Sequence, residues 1–378
     1  PYIGTLLTVD TESAMVLGLI TSMSVPGTAL DAGNSGIRIA EVDLVGELQR
    51  EPDGYLRTFR RGVSVYPRLG DTVKVASHAI LQKAYYLDQT DAVAIGCIHQ
   101  DPTVPAAMKI DQLLGKHFAI VGSTGTGKSC TVALILRQIL RAHQNGHVVL
   151  LDPHNEYGEC FGDQSNVIQL DDLSIPYWFL SFEEVVEIII GDAQKYSDEV
   201  DILRVLIPSA KRHFASKQSR ISPVVLQQGA LRERYSVDVP TPYRMSDIVG
   251  LIDAQMGRLE MQKELGPFKR LKSRIDSISQ DPRFAFMFGS LTVNDNLSSE
   301  LKRLFRVPVA GKPITVVQLM GLPSEVLNVV VSVLARLAFD VAMWSEGKIP
   351  ITFVCEEAHR YVPRDTGSSF EPTKRAIA

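Results

Sequence analysis

The sequence has few cysteines and no dense block of one charge. Its four cysteines form neither a C-x-x-C pair nor a ligand spacing with histidine, which disfavours a zinc site and indicates reduced thiols. No run of five like charges occurs and the formal net charge is -4, so any nucleic-acid contact must be local. These features predict an ordinary globular protein, and the cysteine usage predicts a cytoplasmic one.

A long uninterrupted hydrophobic run is missing as well. The most apolar long stretch, residues 326–344, contains Asn328, Arg336 and Asp340, so it fails as a membrane span and predicts a buried amphipathic helix. The chain has 378 residues, which is beyond the size at which a single core stops growing. We therefore expect about two or three domains.

The strongest motif is GSTGTGKS at residues 122–129, a complete G-x-x-x-x-G-K-S phosphate-binding loop. The apolar run 117–121 predicts the strand entering it and residues 130–143 the helix leaving it, a context that disfavours an ordinary glycine-rich turn. Glycines let successive N–H groups face the phosphates of ATP, while Lys128 reaches the outer phosphates and Ser129 offers a hydroxyl to Mg²⁺. The predicted nucleotide-binding residues are Gly122, Ser123, Thr124, Gly125, Thr126, Gly127, Lys128, Ser129 and Cys130.

The N-terminal part is a series of short β-prone runs separated by turn residues, which predicts a small antiparallel barrel for oligomer contact or partner docking. Arg57, Arg60 and Arg61 can meet phosphate backbones, although a solvated rim is the favoured interpretation. The runs are 2–9, 14–20, 37–48, 62–65, 72–75 and 92–98, with turns at 31–36 and 51–54.

After the loop, the apolar strand 147–151 ends in the segment DPHNEY, residues 152–157. Alternation of strand, helix and strand predicts a parallel sheet, and ligands of such sheets bind where the strands end. Asp152 and Glu156 emerge there and are candidate nucleotide-site residues. A turn that Asp152 caps is the alternative, and a further strand is expected at 167–170.

Residues 173–291 lose the β pattern and predict a helical insertion. Its most basic stretch is 269–274, KRLKSR, with a second cluster at 211–213. Lys269, Lys272 and Arg274 do not share one helix face, so a solvated surface is favoured over a DNA-binding groove. The predicted helices are 182–190, 199–214, 245–264 and 268–279, with breaks at Pro240, Pro242 and Gly266-Pro267.

The αβ pattern resumes with a strand at 314–319, a long helix at 324–344 and a buried strand at 351–355. The last strand ends in Glu356 and Glu357. In a nucleotide hydrolase, one such carboxylate holds Mg²⁺ through water and its neighbour polarises the attacking water. Adjacent carboxylates repel, so each needs its own positive partner: the metal for one, and a proton or a polar contact for the other. An acid-rich helix N-terminus is the alternative.

Four segments together resemble the HerA family: GSTGTGKS, DPHNEY, GLPSEVLNVVVSVLARLAFD from Gly321, and EEAHRYV from Glu356. The order of barrel, core and insertion matches that family over essentially the whole chain. The resemblance implies a hexameric ring ATPase of the HerA and FtsK type that translocates double-stranded DNA. It also implies an α/β fold: a RecA-like P-loop core with a parallel sheet, an N-terminal antiparallel β-barrel of the HAS type and a helical insertion. Implied partners are a NurA-like nuclease or an anti-phage effector enzyme.

The resemblance assigns roles by position. Lys128 and Ser129 bind phosphate and Mg²⁺, Glu356 takes the metal-site acid position and Glu357 is the catalytic base. Asp152 and Glu156 match a family segment at the sheet edge. Two residues depart from the pattern: Glu356 stands where Asp is common, and Gln318 where many relatives carry an acid. The implied domains are 1–108 (barrel), 109–172 with 292–378 (ATPase core) and 173–291 (insertion).

Two other interpretations stay open. A RecA or ATP-synthase type of machine would use Glu156 as its catalytic glutamate, and a nucleotide-gated scaffold would present a partner enzyme with little motor activity. Residues 371–378 resemble the first turns of a helix without a stop signal, so we expect the native polypeptide to continue. The resemblance also implies basic residues in the continuing part that reach the nucleotide of the neighbouring subunit. Within this sequence, Lys116 is the candidate for such a trans-acting cation, or it is an ordinary surface lysine.

Overall fold

The computed structural model describes residues 1–25, 38–87, 92–169, 172–173, 175–218, 235–258, 262–288, 293 and 296–361. The chain forms two compact units, Pro1–Ala142 and His143–Ala378. The turn expected at 31–36 and the chain end 371–378 lie outside the described residues. The three-part division expected from the sequence stays a prediction.

The first unit is built on a five-stranded antiparallel sheet in the order β4-β3-β2-β1-β5. Its buried apolar residues include Val16, Leu17, Ile20 and Leu48, and because Val16 and Leu17 are consecutive in β2 they lie on opposite faces of the sheet. This confirms the antiparallel sheet expected in the N-terminal part, whereas its closure into a barrel stays a prediction. Its strands are β1 (Leu6–Asp10), β2 (Ala14–Ser24), β3 (Ile39–Arg50), β4 (Leu56–Arg61) and β5 (Thr72–Val75).

Three elements of this unit differ from the sequence expectation. Strand β4 precedes Gly62 instead of following it, because Gly62 has a φ of 83° and ends the pairing with β3. A helix, α1 (His78–Tyr85), separates β5 from β6 (Ala92–Ile98). A second hairpin strand, β7 (Asp101–Lys109), pairs with β6 although it contains two prolines. Prolines are tolerated in strands that keep an unpaired edge, which sequence patterns do not reveal.

The expected strand at 117–121 is wrong. These residues pair with no strand in the described part of the chain and are mostly exposed. Only Ile120 among them packs inward, onto a cluster that includes Val93, Ile135 and Ile139. An apolar run becomes a strand only where a neighbour accepts its backbone hydrogen bonds. The unit also contains α2 (Ile110–Leu114) and α3 (Lys128–Ala142), and α3 packs on the β6–β7 hairpin.

The second unit contains a four-stranded parallel sheet in the order β11-β8-β10-β9. Three of its strands are mostly apolar, as is common in parallel sheets, whereas β9 begins with Ser165 and Asn166. The parallel sheet is confirmed, and so are the strands expected at 147–151, 314–319 and 351–355. The strand expected at 167–170 is displaced, because β9 begins at Ser165 and ends at Ile168. They are β8 (His147–Asp152), β9 (Ser165–Ile168), β10 (Ile314–Gln318) and β11 (Ile351–Cys355).

Helices cover this sheet and share one hydrophobic core with it. Helix α4 (Phe182–Ile189) begins with a capping box between Ser181 and Glu184, which satisfies backbone N–H groups at both ends of the motif. The remaining helices are α5 (Ser197–Gln218), α6 (Met245–Met256), α7 (Gln262–Gln280), α8 (Ala285–Phe288), α9 (Leu297–Phe305) and α10 (Ser324–Trp344).

The break expected at Gly266-Pro267 is wrong, because α7 runs through it. Pro267 lies past the first turn of α7, so it removes one helical hydrogen bond, but its fixed φ suits a helix and α7 continues through it. Helix α10 matches the expectation in both of its bounds. Its segment Val326–Trp344 is long and apolar enough to cross a membrane by length and composition, but 67% of its most apolar window is buried in the structure. It is therefore placed as a core helix of the second unit.

Candidate functional site

The phosphate-binding loop of the first unit has the backbone that its glycines predict. Gly125 and Gly127 have φ values of 82° and 89°, in the left-handed region that glycine enters without strain. A Cβ at Gly122 would lie 2.6 Å from Oγ1 of Thr126. Glycine is thus required at these three positions, two for conformation and one for space.

The loop side chains contact the loop itself. Thr126 Oγ1 and Lys128 Nζ both donate to the carbonyl oxygen of Ser123, at 2.7 and 3.3 Å. Lys128 is half-buried at the start of α3, followed by half-buried Ser129 and exposed Cys130. The ammonium now meets a neutral carbonyl, so a phosphate would give it a stronger, charged partner. With Ser123 and Thr124 also exposed, the loop fits a nucleotide phosphate.

In the second unit, Asp152 closes β8 and is fully buried. Its Oδ1 accepts the backbone N–H of Glu156 at 3.0 Å, and its Oδ2 accepts that of Tyr157 at 2.9 Å. Both carboxylate oxygens therefore hold the turn that follows the strand. This geometry is the capping role that the sequence left open, and nucleotide contact by Asp152 stays a prediction.

The turn after β8 is tight and exposed. Asn155 has a φ of 56°, and the side chain of Glu156 faces solvent. On the adjacent strand β10, Gln318 is the register partner of Asp152. A Cβ at Gly158 would lie 2.7 Å from Nε2 of Gln318, so glycine lets the amide of Gln318 approach this turn.

The acid pair follows β11, with its two carboxylates in different surroundings. Glu356 is 7% exposed, and its Oε2 accepts a hydrogen bond from the Tyr157 hydroxyl at 2.7 Å. The backbone N–H of Glu356 also donates to Leu151 O at 3.4 Å, which extends the β11–β8 pairing past the strand end. Glu356 is thereby fixed on the second unit's sheet by its backbone and its side chain.

Glu357 is more accessible than its neighbour. Its side chain is 26% exposed, and its Oε2 lies 3.1 Å from Nδ1 of His359. The backbone of Glu357 is left-handed, with a φ of 51°, which is uncommon for a residue with a Cβ. Such conformations persist where the surroundings enforce them and are frequent at functional sites. Each carboxylate has a polar contact of its own, a phenol for Glu356 and an imidazole for Glu357, and the metal expected at one of them stays a prediction.

Two groups that flank the acid pair are neutral. Burial raises the pKa of the Cys355 thiol to about 12, so this cysteine stays protonated at neutral pH. Tyr361 is fully buried, and burial raises its pKa as well. Its hydroxyl has no hydrogen-bond partner within the described ranges. Neither side chain supplies a charge to the site at neutral pH.

The structure brings Asp152, Tyr157 and Glu356 together, with Gln318 and Glu357 at neighbouring strand ends. The phosphate-binding loop belongs to the first unit. Carboxylate oxygens are ligands that Mg²⁺ accepts together with phosphate oxygens and water, so Ser129 and Glu356 have suitable chemistry for the metal.

The basic stretch on α7 is largely engaged within the second unit. Arg270 Nε lies 2.6 Å from Oε1 of the buried Glu199, and Lys272 Nζ contacts both oxygens of Asp253 at 2.6 and 2.7 Å. Arg274 lies over the ring of Tyr196 at 4.1 Å. Two of the four cations in the stretch are thus paired with carboxylates, which agrees with the preference for a helix surface over a DNA-binding groove.

Comparison with known proteins places the chain in a family. The family model described as "Helicase HerA, central domain" matches residues 93–338, more than half of the chain. The chain belongs to this family. The match begins in β6 and ends in α10, so it includes the phosphate-binding loop and the turn after β8. It confirms the resemblance to the HerA family.

Individual relatives of this HerA-family chain are distant. The DNA double-strand break repair helicase HerA of Pyrococcus furiosus is 29% identical over 40% of this chain and 29% of its own length. A probable helicase of Methanocaldococcus jannaschii is 21% identical over 96% of this chain and 67% of its own. The chain thus spans less than a third of the Pyrococcus protein that it matches.

A solved structure of the bacterial conjugative coupling protein TrwBdeltaN70 is 11% identical, with a TM-score of 0.40. The match covers 73% of this chain and 68% of that one. At this distance the similarity carries no functional inference for the HerA-family chain. The family to which the chain belongs is described as one of helicases.

The sequence did not predict the roles of two residues of this HerA-family site. Tyr157 lies in the segment DPHNEY, but its partner Glu356 is 199 positions away. His359 lies in EEAHRYV, and its ring contacts the Glu357 carboxylate across a left-handed turn at Glu357. No local pattern announces either contact, because each depends on how the backbone turns after a strand.

Proposed function

We propose that this chain is the ATP-hydrolysing motor of a HerA-family ring that moves double-stranded DNA. The proposal is carried by the occurrence of the GSTGTGKS loop and helix α3 in one chain with the acid pair after β11. The family match over residues 93–338 supports the same conclusion. Either motif alone has structural alternatives, whereas nucleotide hydrolysis requires both.

The loop residues would bind and orient ATP. Backbone N–H groups of the loop and the N-terminus of α3 face the phosphates, and Lys128 neutralises charge on the outer ones. Ser129 and Glu356 would hold Mg²⁺, which supplies charge neutralisation when bound. Glu357, the more accessible carboxylate, would accept a proton from the attacking water.

Double-stranded DNA is the proposed substrate. The Pyrococcus relative is described as a helicase of DNA double-strand break repair, which supports a duplex substrate here. A motor that tracks a duplex grips phosphates rather than bases, so binding should weaken steeply with salt. We expect a channel lined by the ATPase core, and alanine at Lys269 should leave DNA affinity unchanged.

The remaining parts of the proposal concern assembly. We propose a cytoplasmic hexamer that works with a NurA-like nuclease or an anti-phage effector enzyme, in DNA end processing or defence. Mass photometry with and without ATP measures the subunit number, and co-purification followed by mass spectrometry identifies the partner. A monomer at all nucleotide concentrations would contradict the ring.

The deciding experiment compares ATP hydrolysis, with and without duplex DNA, in the wild type and in Lys128→Ala. The variant should lose hydrolysis, because no other side chain of the loop can follow charge onto the γ-phosphate. Lys348→Ala is the matched control, since Lys348 is 78% exposed and pairs only with the equally exposed Glu346. Near wild-type hydrolysis in Lys128→Ala would reject the site. Slow turnover that DNA does not stimulate would favour the nucleotide-gated scaffold.

A further inference from the structure

The contact between Tyr157 and Glu356 joins two strand ends in the second unit. The phenol oxygen and Oε2 of Glu356 lie 2.7 Å apart, and the two residues are 1% and 7% exposed. A hydrogen bond to a carboxylate in such a buried place is stronger than one in water and is costly to remove. The contact therefore restrains the carboxylate.

The backbone of Tyr157 is fixed by Asp152. Its backbone N–H donates to Oδ2 of Asp152 at 2.9 Å, and the other oxygen of Asp152 accepts the N–H of Glu156 at 3.0 Å. Asp152 is fully buried at the end of β8, a strand paired on both sides. A rigid strand end thus fixes the turn, and the turn fixes the phenol.

Glu356 needs such a restraint more than a shorter acid would. Glutamate has one more rotatable side-chain bond than aspartate, so its carboxylate samples more positions and loses more entropy when it is fixed. Its neighbour Glu357 has a left-handed backbone, which makes the direction of the chain at this point unusual. The phenol compensates by selecting one position of the Glu356 carboxylate.

We propose that Tyr157 is a positioning residue for Glu356 in the ATPase site. The inference rests on the proposed function and deepens it: Asp152 orders the turn, the turn presents the phenol, and the phenol orients the carboxylate to which the proposed function assigns Mg²⁺. Tyr157 itself touches no substrate in this scheme.

The test uses the full chain and the substitution Tyr157→Phe, which keeps the ring and removes only the hydroxyl. The first measurement is equilibrium binding of ADP with Mg²⁺ and with a chelator. We expect the gain in affinity due to Mg²⁺ to fall by about tenfold, the scale of one hydrogen bond to a charged group, with affinity in chelator unchanged. The second measurement is kcat for ATP, which should fall by about the same factor or more while KM in excess Mg²⁺ changes little.

Tyr361→Phe is the matched control. Tyr361 is a fully buried tyrosine near the acid pair whose hydroxyl has no hydrogen-bond partner in the described part of the chain. Loss of that hydroxyl should change neither measurement. If Tyr157→Phe and Tyr361→Phe behaved alike, the positioning role would be overturned.

The double variant Tyr157→Phe with Glu356→Gln isolates the pair. Glutamine removes the charge, so loss of the phenol hydroxyl should cost about threefold or less in Mg²⁺-dependent ADP affinity in this background. Glutamine also avoids a buried charge that has lost the Tyr157 hydroxyl. The double variant therefore keeps the test usable if Tyr157→Phe alone unfolds. A tenfold cost in both backgrounds would show that Tyr157 acts independently of Glu356.

A wild type that neither binds nor hydrolyses ATP would overturn the proposed function and this inference together. An active wild type that Tyr157→Phe leaves unaffected would overturn only the inference.

Discussion

Arg336 on α10 binds Glu184 on α4 through two guanidinium nitrogens, with the closest contact, Nη2 to Oε2, at 3.0 Å. Glu184 is 1% exposed and also accepts from Ser332 Oγ at 3.1 Å and from the Ser181 N–H at 2.8 Å. The same guanidinium donates to Phe179 O at 2.6 Å. The pair therefore ties the first helix of the predicted insertion to the long helix that precedes β11.

Removal of one partner from this pair should be strongly destabilising. In Glu184→Ala the partly buried Arg336 guanidinium loses its buried carboxylate and keeps the more exposed one of Asp340. The capping box at the start of α4 is lost as well, and the total cost is about 3 kcal/mol. For a unit of this size that lowers Tm by roughly 6–12 °C, measured by differential scanning calorimetry. Lys348→Ala, which breaks an exposed pair, should cost less than about 1 kcal/mol. Equal losses in the two variants would show that the buried pair adds nothing.

The two glutamates that compete for the role of catalytic base differ in surroundings. Glu357 is partly buried beside His359, whereas Glu156 is exposed in the turn after β8. Glu357→Gln should preserve nucleotide binding and slow hydrolysis by about a hundredfold or more, the scale for loss of a positioned base. Glu156→Gln should be milder.

The comparison is made in single-turnover hydrolysis with nucleotide affinity measured alongside. Glu159→Gln, another exposed carboxylate close in sequence to Glu156, controls for the loss of a surface charge. A larger defect in Glu156→Gln than in Glu357→Gln would replace the proposed scheme with the RecA type.

The parallel sheet was predictable because its strands carry their own signal. Residues 147–151, 314–318 and 351–355 are mostly apolar runs that end at or just before a polar residue. They form strands that pair in the sheet. The phosphate-binding loop was equally clear, because glycine spacing reflects φ values that other residues avoid.

The remainder depended on tertiary partners. The run 117–121 has the composition of a strand but no pairing neighbour in the described residues, and β7 has prolines but finds one. The contact of Tyr157 with Glu356 requires β8 and β11 to be adjacent, which no local pattern encodes. Local sequence therefore indicates which segments are apolar, whereas pairing decides which of them become strands.

Cys130 gives a direct test of nucleotide at the loop. It is exposed in the first turn of α3, one position after Ser129, and so it lies at the edge of the proposed phosphate site. Saturating ATP should slow its alkylation by a maleimide several-fold, because bound phosphates cover the helix N-terminus. Cys97 on β6 is also exposed and should react at the same rate with and without ATP.

Mass spectrometry of digested protein measures both rates in one sample. Cys355 provides an internal reference, since its burial and its raised pKa, about 12, keep it unreactive in the folded state. Equal protection of Cys97 and Cys130 would indicate a general conformational change. No protection of Cys130 would place the nucleotide elsewhere.

Lys211 on α5 is a buried cation held by backbone carbonyls. It is 2% exposed, and its Nζ donates to the carbonyl oxygens of Ser236, Val237 and Val239 at 2.8, 3.0 and 2.7 Å. Burial lowers the pKa of Lys211 to about 8, and the nearby Asp238 opposes that shift. The ammonium therefore fastens a turn of the second unit at a cost in desolvation.

This lowered pKa makes stability depend on pH in a defined direction. Between pH 8 and the ordinary lysine value of 10.5, the unfolded chain binds more protons at this site than the folded one, so the contribution of Lys211 rises with pH and is lost as pH falls through about 8. The raised pKa of Cys355, about 12, acts in the opposite direction over part of this range. The wild type must therefore be compared with Lys211→Met, which removes only the contribution of Lys211 to the pH dependence of the free energy of unfolding. The stability difference between the two, from urea unfolding at pH 8 and pH 10, should grow by on the order of 2 kcal/mol in favour of the wild type. A difference that stays constant across that range would show that Lys211 keeps an ordinary pKa in the folded chain and that its three carbonyl partners fully offset its burial.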